Sequence, residues 1–152
     1  MPVNEKLNSV GLKSTGPRLK VLQAFQEHER GHLTAEELHQ HMREKKADVG
    51  LTTVYRVLSQ LTDVGILIRS VFESRTAVYE IHPGKHHDHL FCLECGRVDD
   101  FVDEVIDERQ KSIAKARGYA LAQRQLALYG YCPSCRTRRA GSDGRKRTTN
   151  SA

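Results

Sequence analysis

The sequence contains no tryptophan and few aromatic residues of any kind, 6% in total, and it has no long apolar run. A membrane-spanning helix needs about 20 consecutive apolar residues, so we expect no such helix. The N-terminus also lacks the basic and then apolar pattern of a secretory signal peptide, which favours a cytoplasmic protein. A chain of 152 residues can form one domain or two small ones, each with a modest hydrophobic core.

Cysteine is also scarce, and its four residues form two Cys-x-x-Cys pairs, Cys92 with Cys95 and Cys132 with Cys135. Thiols stay reduced in the cytoplasm, so disulfides are not expected. Four thiolates complete the tetrahedral coordination of Zn(II) and leave no open position for a substrate. We therefore predict a structural Zn(II) site. A thioredoxin-type redox motif is the alternative, but it would need only one of the two pairs.

Metal-binding side chains are dense in the stretch His86–Cys95, where β-favouring residues predict a strand. Successive side chains of a strand point to opposite faces, so His87 and His89 share one face while His86 and Asp88 share the other. One ion cannot easily bind all four, and two sites are therefore implied. Nitrogen and oxygen donors suit Fe(II), Mn(II) or Zn(II) at reversible affinity. The alternative is a polar edge strand with incidental histidines.

Two donors outside this strand are candidates to complete the face of His87 and His89. His32 lies before the second predicted helix, and Glu80 lies just before a Pro-Gly segment, residues 82–85, that we interpret as a hinge. If all four bound the same ion, the metal would fix the relative orientation of the two halves of the chain.

Residues 1–81 have the pattern of a winged helix-turn-helix domain. Three helical segments are followed by two β-rich runs, residues 66–73 and 77–81. Thr34 and Glu37 form a capping box that begins the second helix. This order of elements predicts DNA binding, with a protein-interaction module as the alternative.

The third helical segment, Gly50–Gly65, has two distinct faces. Its apolar stripe consists of Val54, Val57, Leu58 and Leu61. Thr52, Tyr55 and Arg56 lie on another face. Such side chains suit the DNA major groove, where arginine can pair with guanine or phosphate and tyrosine can contact a thymine methyl group.

Residues 86–135 are predicted to form a small α/β domain, with a three-stranded antiparallel sheet and one helix from Asp103 to Gly118, so that the whole chain has an α+β fold. One helix covers only one face of a sheet, and we expect the other face to pack against a second copy in a homodimer. Residues 136–152 hold six Arg or Lys against one Asp, so the net charge of +5 belongs to this segment. We interpret it as a basic, disordered tail.

Five segments together carry a family resemblance: Gly11–Lys20, Thr53–Leu58, Val78–Glu80, His86–Gly96 and Leu128–Cys132. They resemble the ferric uptake regulator (Fur) family over roughly residues 10 to 135. The resemblance implies a dimeric, metal-dependent bacterial repressor that controls iron uptake genes. It also implies an N-terminal winged helix that binds a palindromic DNA operator and a C-terminal dimerisation domain. Zinc-, manganese- and peroxide-responsive members are alternatives, although the peroxide-responsive ones usually have Asp where Glu80 stands.

The resemblance also implies which residues form each site. The regulatory Fe(II) site falls on His32, Glu80, His87, His89 and Asp100, with Mn(II) or Zn(II) as substitutes. The structural Zn(II) site falls on Cys92, Cys95, Cys132 and Cys135. The DNA contacts fall on Thr52, Tyr55 and Arg56, with Lys13 and Arg18 supporting them.

An additional metal site of many relatives would use His86, Asp88 and Asp107 with a histidine in the third strand. Here that last position is Arg124, a fixed cation that cannot donate a lone pair. We therefore expect the additional site to be weakened or lost, with Arg124 pairing with Asp88 or Asp107. A metal-dependent enzyme is the alternative from another class, but the sequence has no HExxH-type helix to supply a general base.

Overall fold

The computed structural model describes residues 2–73 and 75–146, which divide after Lys85 into two compact units. The division falls at the end of residues 82–85, the predicted hinge. In the part of the chain that the structure describes, no helix is both long and apolar enough to cross a membrane.

The first unit consists of four helices followed by an antiparallel hairpin. The elements are α1 (Val3–Ser9), α2 (Gly16–Glu27), α3 (Ala35–Glu44), α4 (Leu51–Asp63), β1 (Leu67–Val71) and β2 (Ala77–Ile81). The predicted order of three helices and a hairpin is confirmed. Helix α1 was not predicted. It buries only Leu7, and a single apolar residue cannot reveal a helical period in the sequence.

The core of the first unit forms around the apolar stripe of α4. All four predicted stripe residues, Val54, Val57, Leu58 and Leu61, are buried. They pack with buried side chains of α1, α2, α3 and the hairpin. Burial of this stripe leaves the opposite face of α4 exposed, where Thr52, Tyr55 and Arg56 lie.

Helix α3 begins with the predicted capping box. The Thr34 hydroxyl accepts from the Glu37 amide at 3.1 Å, and the Glu37 carboxylate accepts from the Thr34 amide at 2.8 Å. One residue earlier, Leu33 forms a β-bridge with Tyr79, through amide-to-carbonyl bonds of 3.0 and 2.8 Å. The bridge joins the loop before α3 to the hairpin.

The second unit contains a three-stranded sheet and two helices. Its elements are β3 (Asp88–Cys92), β4 (Val98–Phe101), α5 (Glu104–Ala116), β5 (Ala127–Gly130) and α6 (Pro133–Lys146). The strand order is β4-β3-β5. The α+β class and the three strands are confirmed, but the sheet is not fully antiparallel. β3 pairs with β4 antiparallel and with β5 parallel, because the crossover through α5 returns the chain to the other edge in the direction of β3.

The prediction of disorder from residue 136 onward is wrong for residues 136–146, which continue α6, while residues 147–152 lie outside the described residues. Pro133 stands at the first position of the helix, where its missing amide has no effect. Thr137 donates its hydroxyl to the Pro133 carbonyl at 2.9 Å. The Arg139 guanidinium lies 3.9 Å above the centre of the Tyr131 ring, a cation–π contact that composition alone does not reveal.

Apolar side chains remain exposed on the second unit. None of the α5 side chains is fully buried, and Val105 is 78% exposed. Other exposed apolar residues of this unit are Leu90, Leu93, Val102, Ile113, Tyr119, Leu121, Leu128, Tyr129 and Tyr131. A monomer rarely exposes so many apolar side chains, which indicates that this unit packs against a partner.

Truncation of the α4 stripe should destabilise the first unit. Leu61 is fully buried, so Leu61→Ala should lower the free energy of unfolding by about 2–5 kcal/mol through lost burial and a cavity. Leu51, 37% exposed on the same helix, is the matched control, and Leu51→Ala should cost less than about 1 kcal/mol. Urea denaturation followed by circular dichroism measures both. Equal losses would contradict this description of the core.

Candidate metal centres and nucleic-acid interface

The four cysteines come together at one end of the sheet. Parallel pairing sets Cys92, the last residue of β3, opposite Gly130, the last residue of β5. The turn after β3 supplies Cys95, the residue before α6 is Cys132, and the first turn of α6 supplies Cys135. All four sulfur atoms lie within 4.8 Å of one another, and those of Cys95 and Cys132 are 3.8 Å apart.

The electrostatics of this cluster favour thiolates at some positions and disfavour them at others. Burial opposes ionisation of Cys92, but backbone N–H groups of Cys132, Cys95 and Glu94 outweigh it and lower the pKa of Cys92 to about 6. The Cys135 amide lowers the pKa of Cys132. Burial, together with the Cys132 sulfur, raises the pKa of Cys135 to about 12. A cation is needed to hold four thiolates together, and this donor set fits structural Zn(II).

In the first unit, the structure brings His32 and Glu80 together. The Leu33–Tyr79 bridge places the residues that flank it side by side, and His32 Nε2 meets Glu80 Oε2. His32 Nδ1 lies 2.9 Å from the Arg30 carbonyl, which can only accept, so Nδ1 carries the proton. Nε2 is therefore the ring atom that faces a carboxylate oxygen of Glu80. An imidazole nitrogen and a carboxylate oxygen are common metal ligands, so this pair fits half of a metal site.

In the second unit, His87, His89 and Asp100 converge. The β3–β4 register sets His89 opposite Asp100. The Nε2 atoms of His87 and His89 each lie 3.6 Å from Asp100 Oδ1, too far for a good hydrogen bond. Ligand atoms that share one ion at about 2.1 Å are separated by roughly 3 to 3.5 Å. The spacing therefore fits three ligands of one cation.

Asp88 begins β3, and His86, two residues before the strand, lies close to it, as the predicted alternation of side chains requires. His86 Nε2 lies 2.9 Å from Asp88 Oδ1. Arg124 Nη1 lies 2.9 Å from Asp107 Oδ1, so the expected pairing of Arg124 with Asp107 is present.

The predicted DNA-contacting residues all lie in the first unit, and two of them have partners that the sequence did not reveal. The Tyr55 hydroxyl donates to a Glu36 carboxylate oxygen, which raises the pKa of Tyr55 and lowers that of Glu36. Arg18 donates to Gln60 Oε1 at 3.0 and 3.3 Å and to the Lys13 carbonyl at 2.9 Å. Glu36 and Gln60 lie on other helices than their partners, so local sequence patterns give no signal for these pairs.

Loss of one cysteine should remove the structural Zn(II) and unfold or monomerise the protein. Structural Zn(II) contributes on the order of 10 kcal/mol to the folding of small domains, more than a small unit can lose. Cys92→Ser should therefore abolish the bound zinc and the dimer, as measured by metal analysis and size-exclusion chromatography. Ser134→Ala, between the second pair of cysteines, is the control and should change neither. An intact dimer of Cys92→Ser at an unchanged melting temperature would refute the structural role.

Comparison with known proteins supports the resemblance found in the sequence. The family model described as Ferric uptake regulator family matches residues 9–129. The chain is 51% identical over 132 residues to the "Ferric uptake regulation protein" of Cupriavidus metallidurans, covering 87% of this chain and 92% of that protein.

Two solved structures are similar along most of the chain. The ferric uptake regulator of Vibrio cholerae has a TM-score of 0.78 at 46% identity, covering 85% of this chain and 98% of that one. The manganese-bound regulator of Pseudomonas aeruginosa has a TM-score of 0.75 at 40% identity, covering 88% and 99%. The sequence motifs, the winged helix and the ligand clusters therefore have one explanation, and the chain belongs to the ferric uptake regulator family.

Proposed function

We propose that this protein is a dimeric repressor that binds a palindromic DNA operator when Fe(II) is available and so controls iron uptake genes. The observation that carries the proposal is the distribution of metal donors along the chain. His32 and Glu80 meet in the first unit, and His87, His89 and Asp100 converge in the second, immediately beyond the hinge at residues 82–85.

The proposal assigns these five residues to one reversible ion. Fe(II) is the natural ion in this proposal, and Mn(II) or Zn(II) can substitute, because similar nitrogen and oxygen ligands bind all three. Glu80, rather than the Asp typical of peroxide-responsive relatives, favours iron sensing. When bound, the ion supplies positive charge to two carboxylates and a coordination centre to three imidazoles. Five protein donors leave little room for a substrate, so we assign the protein no catalytic reaction.

In the proposed switch, metal binding restricts the hinge, residues 82–85. The His82 amide donates to the Ile66 carbonyl at 2.9 Å, and the Gly84 amide lies 2.9 Å from His82 Nδ1. Gly84 adopts a φ of +80°, a conformation that glycine allows without strain. Donors on both sides of such a segment lose freedom when they share an ion, so the two units then keep one orientation. A useful switch needs several kcal/mol of preference for that orientation.

The exposed apolar side chains of the second unit support a homodimer. A twofold dimer buries the same patch on both copies and presents two α4 helices with a fixed separation. Two such helices match two half-sites about one helical turn of DNA apart, which explains a palindromic operator.

The residues proposed to contact DNA divide into two groups. Thr52, Tyr55 and Arg56 lie at the N-terminal part of α4, where they can reach base edges in the major groove. Lys13 and Arg18 lie before and at the start of α2, where positive charge can meet phosphate.

Removal of one donor on either side of the hinge should abolish the response to metal. For His32→Ala and for His89→Ala, we expect the gain in operator affinity on adding Fe(II), Mn(II) or Zn(II) to fall by roughly 100-fold or more. Both variants should stay folded dimers. Anaerobic fluorescence anisotropy of a labelled operator, with and without chelator, measures the gain, and the metal that acts at the lowest free concentration identifies the preferred ion.

The matched control is His39→Ala on α3, which should respond to metal as the unchanged protein does. Full metal-dependent affinity in both His32→Ala and His89→Ala would refute the five-residue site.

The two groups of DNA contacts should respond differently to substitution. Arg56→Gln should reduce the preference for operator over unrelated duplex, at a cost of about 1–3 kcal/mol in operator binding. Lys13→Gln should lower the affinity for operator and for unrelated duplex equally. It should also reduce the slope of log affinity against log salt concentration by about one. Titrations at several salt concentrations measure both effects. An equal loss of affinity for operator and for unrelated duplex in Arg56→Gln would contradict its assignment to base contact.

A further inference from the structure

We propose that Arg124 is a built-in cation of the cluster of His86, Asp88 and Asp107, so that this cluster binds no metal and each subunit holds one exchangeable ion. The proposal rests on the proposed function only for the ion at the regulatory site. The state of the Arg124 cluster itself follows from contacts within the second unit.

The cluster has the donors of a cation site. Asp88 is fully buried, and its Oδ2 atom has no hydrogen-bond partner among the described residues. His86 Nε2 lies 2.9 Å from Asp88 Oδ1 and 3.9 Å from Asp107 Oδ1. One ligand atom from each of the three residues lies within 4.8 Å of the others. Two carboxylates held this close in a poorly solvated place require positive charge nearby.

Arg124 already provides that charge. Its Nη1 atom lies 2.9 Å from Asp107 Oδ1, and the same atom lies 3.4 Å from the Asp107 carbonyl and 3.5 Å from Gln110 Oε1. The side chains of Arg124 and Asp107 are 13% and 17% exposed, so water screens the pair only weakly. A guanidinium has five N–H donors and no lone pair, so it can neutralise a carboxylate but cannot coordinate an ion.

The same contact opposes a metal in two ways. It forms an ion pair with the Asp107 oxygen that lies 3.9 Å from His86 Nε2, and it places a permanent positive charge where a divalent cation would be repelled. Two donors, His86 and Asp88, then remain, which is fewer than a tightly bound transition-metal ion requires.

The ion pair between Arg124 and Asp107 also has a structural consequence. Asp107 lies on α5, and Arg124 lies in the segment that leads to β5, so their ion pair joins the helix to the chain entering the sheet. His86 and His87 immediately precede β3, and Asp88 and His89 are its first two residues. The positions of the regulatory donors in this unit are therefore supported by contacts that do not depend on the supply of metal.

Metal counting tests the proposal. The zinc-loaded dimer, freed of other ions, is titrated anaerobically with Mn(II), and bound ion is counted by electron paramagnetic resonance. We expect one Mn(II) per subunit in the unchanged protein and in Arg124→Lys, which keeps the charge. Arg124→His puts an imidazole in place of the guanidinium and should bind two. Two ions in the unchanged protein, or one in Arg124→His, would overturn the proposal.

A second variant covers the case in which Arg124→His fails to fold. Asp107→Asn keeps the shape of the side chain and removes a carboxylate ligand. If the cluster binds no metal, the Mn(II) count of Asp107→Asn stays at one, whereas a lower count than in the unchanged protein would overturn the proposal.

The regulatory assignment is checked separately with His89→Ala. If that variant still binds one Mn(II), the proposed regulatory site is wrong, while the difference between Arg124→His and the unchanged protein still decides the role of Arg124.

Melting temperatures give an independent measure. With exchangeable metal removed by a chelator too weak to extract the zinc, Arg124→Met should melt roughly 5 °C or more below the unchanged protein, because the partly buried Asp107 carboxylate loses its counter-charge. Without Mn(II), the melting temperature of Arg124→His should fall by as much as that of Arg124→Met. Saturating Mn(II) should restore most of that decrease. An unchanged melting temperature in Arg124→Met would show that the guanidinium has no such role.

Discussion

The second unit depends on one interaction, the parallel pairing of β5 with β3. This pairing brings Cys92 beside the chain that leads to Cys132 and Cys135, and so assembles the four thiols at one edge of the sheet. The same strand, β3, with the two residues before it, places His87 and His89 on one side and His86 and Asp88 on the other. A five-residue strand thus supplies residues to three clusters of metal-binding type. Any shift in its register would disturb all three at once, because a shift by one residue exchanges the two faces.

Local patterns predicted much of this architecture. The Cys-x-x-Cys spacing indicated the four-thiol cluster, the strand alternation divided the histidines between two faces, and Thr34 and Glu37 indicated where α3 begins. Each of these signals lies within a few residues of chain, where backbone geometry alone decides which side chains are neighbours. Asp100 came from the family resemblance, and the β3–β4 register supplies the physical reason, since it sets Asp100 opposite His89.

The errors and omissions concern contacts between distant segments. The direction of β5 follows from the crossover through α5 and cannot be read from the strand itself. Residues 136–146 form part of α6, where Arg139 stacks on Tyr131, although their composition resembles that of a disordered tail. The partners of Tyr55 and Arg18, Glu36 and Gln60, are reached only through helix packing. In contrast, the pairing of Arg124 with Asp107 was expected, because a fixed charge in a carboxylate-rich cluster has few other ways to be neutralised.

The contact between Tyr55 and Glu36 has a consequence for how the protein finds its sites on a chromosome. A carboxylate beside the proposed DNA contacts repels phosphate, and attachment to arbitrary sequence is almost wholly electrostatic. This repulsion weakens contacts to the sugar-phosphate backbone more than contacts to base edges. In the proposed complex, Glu36 would therefore shorten the time that a dimer spends on the millions of competing genomic positions relative to its operator.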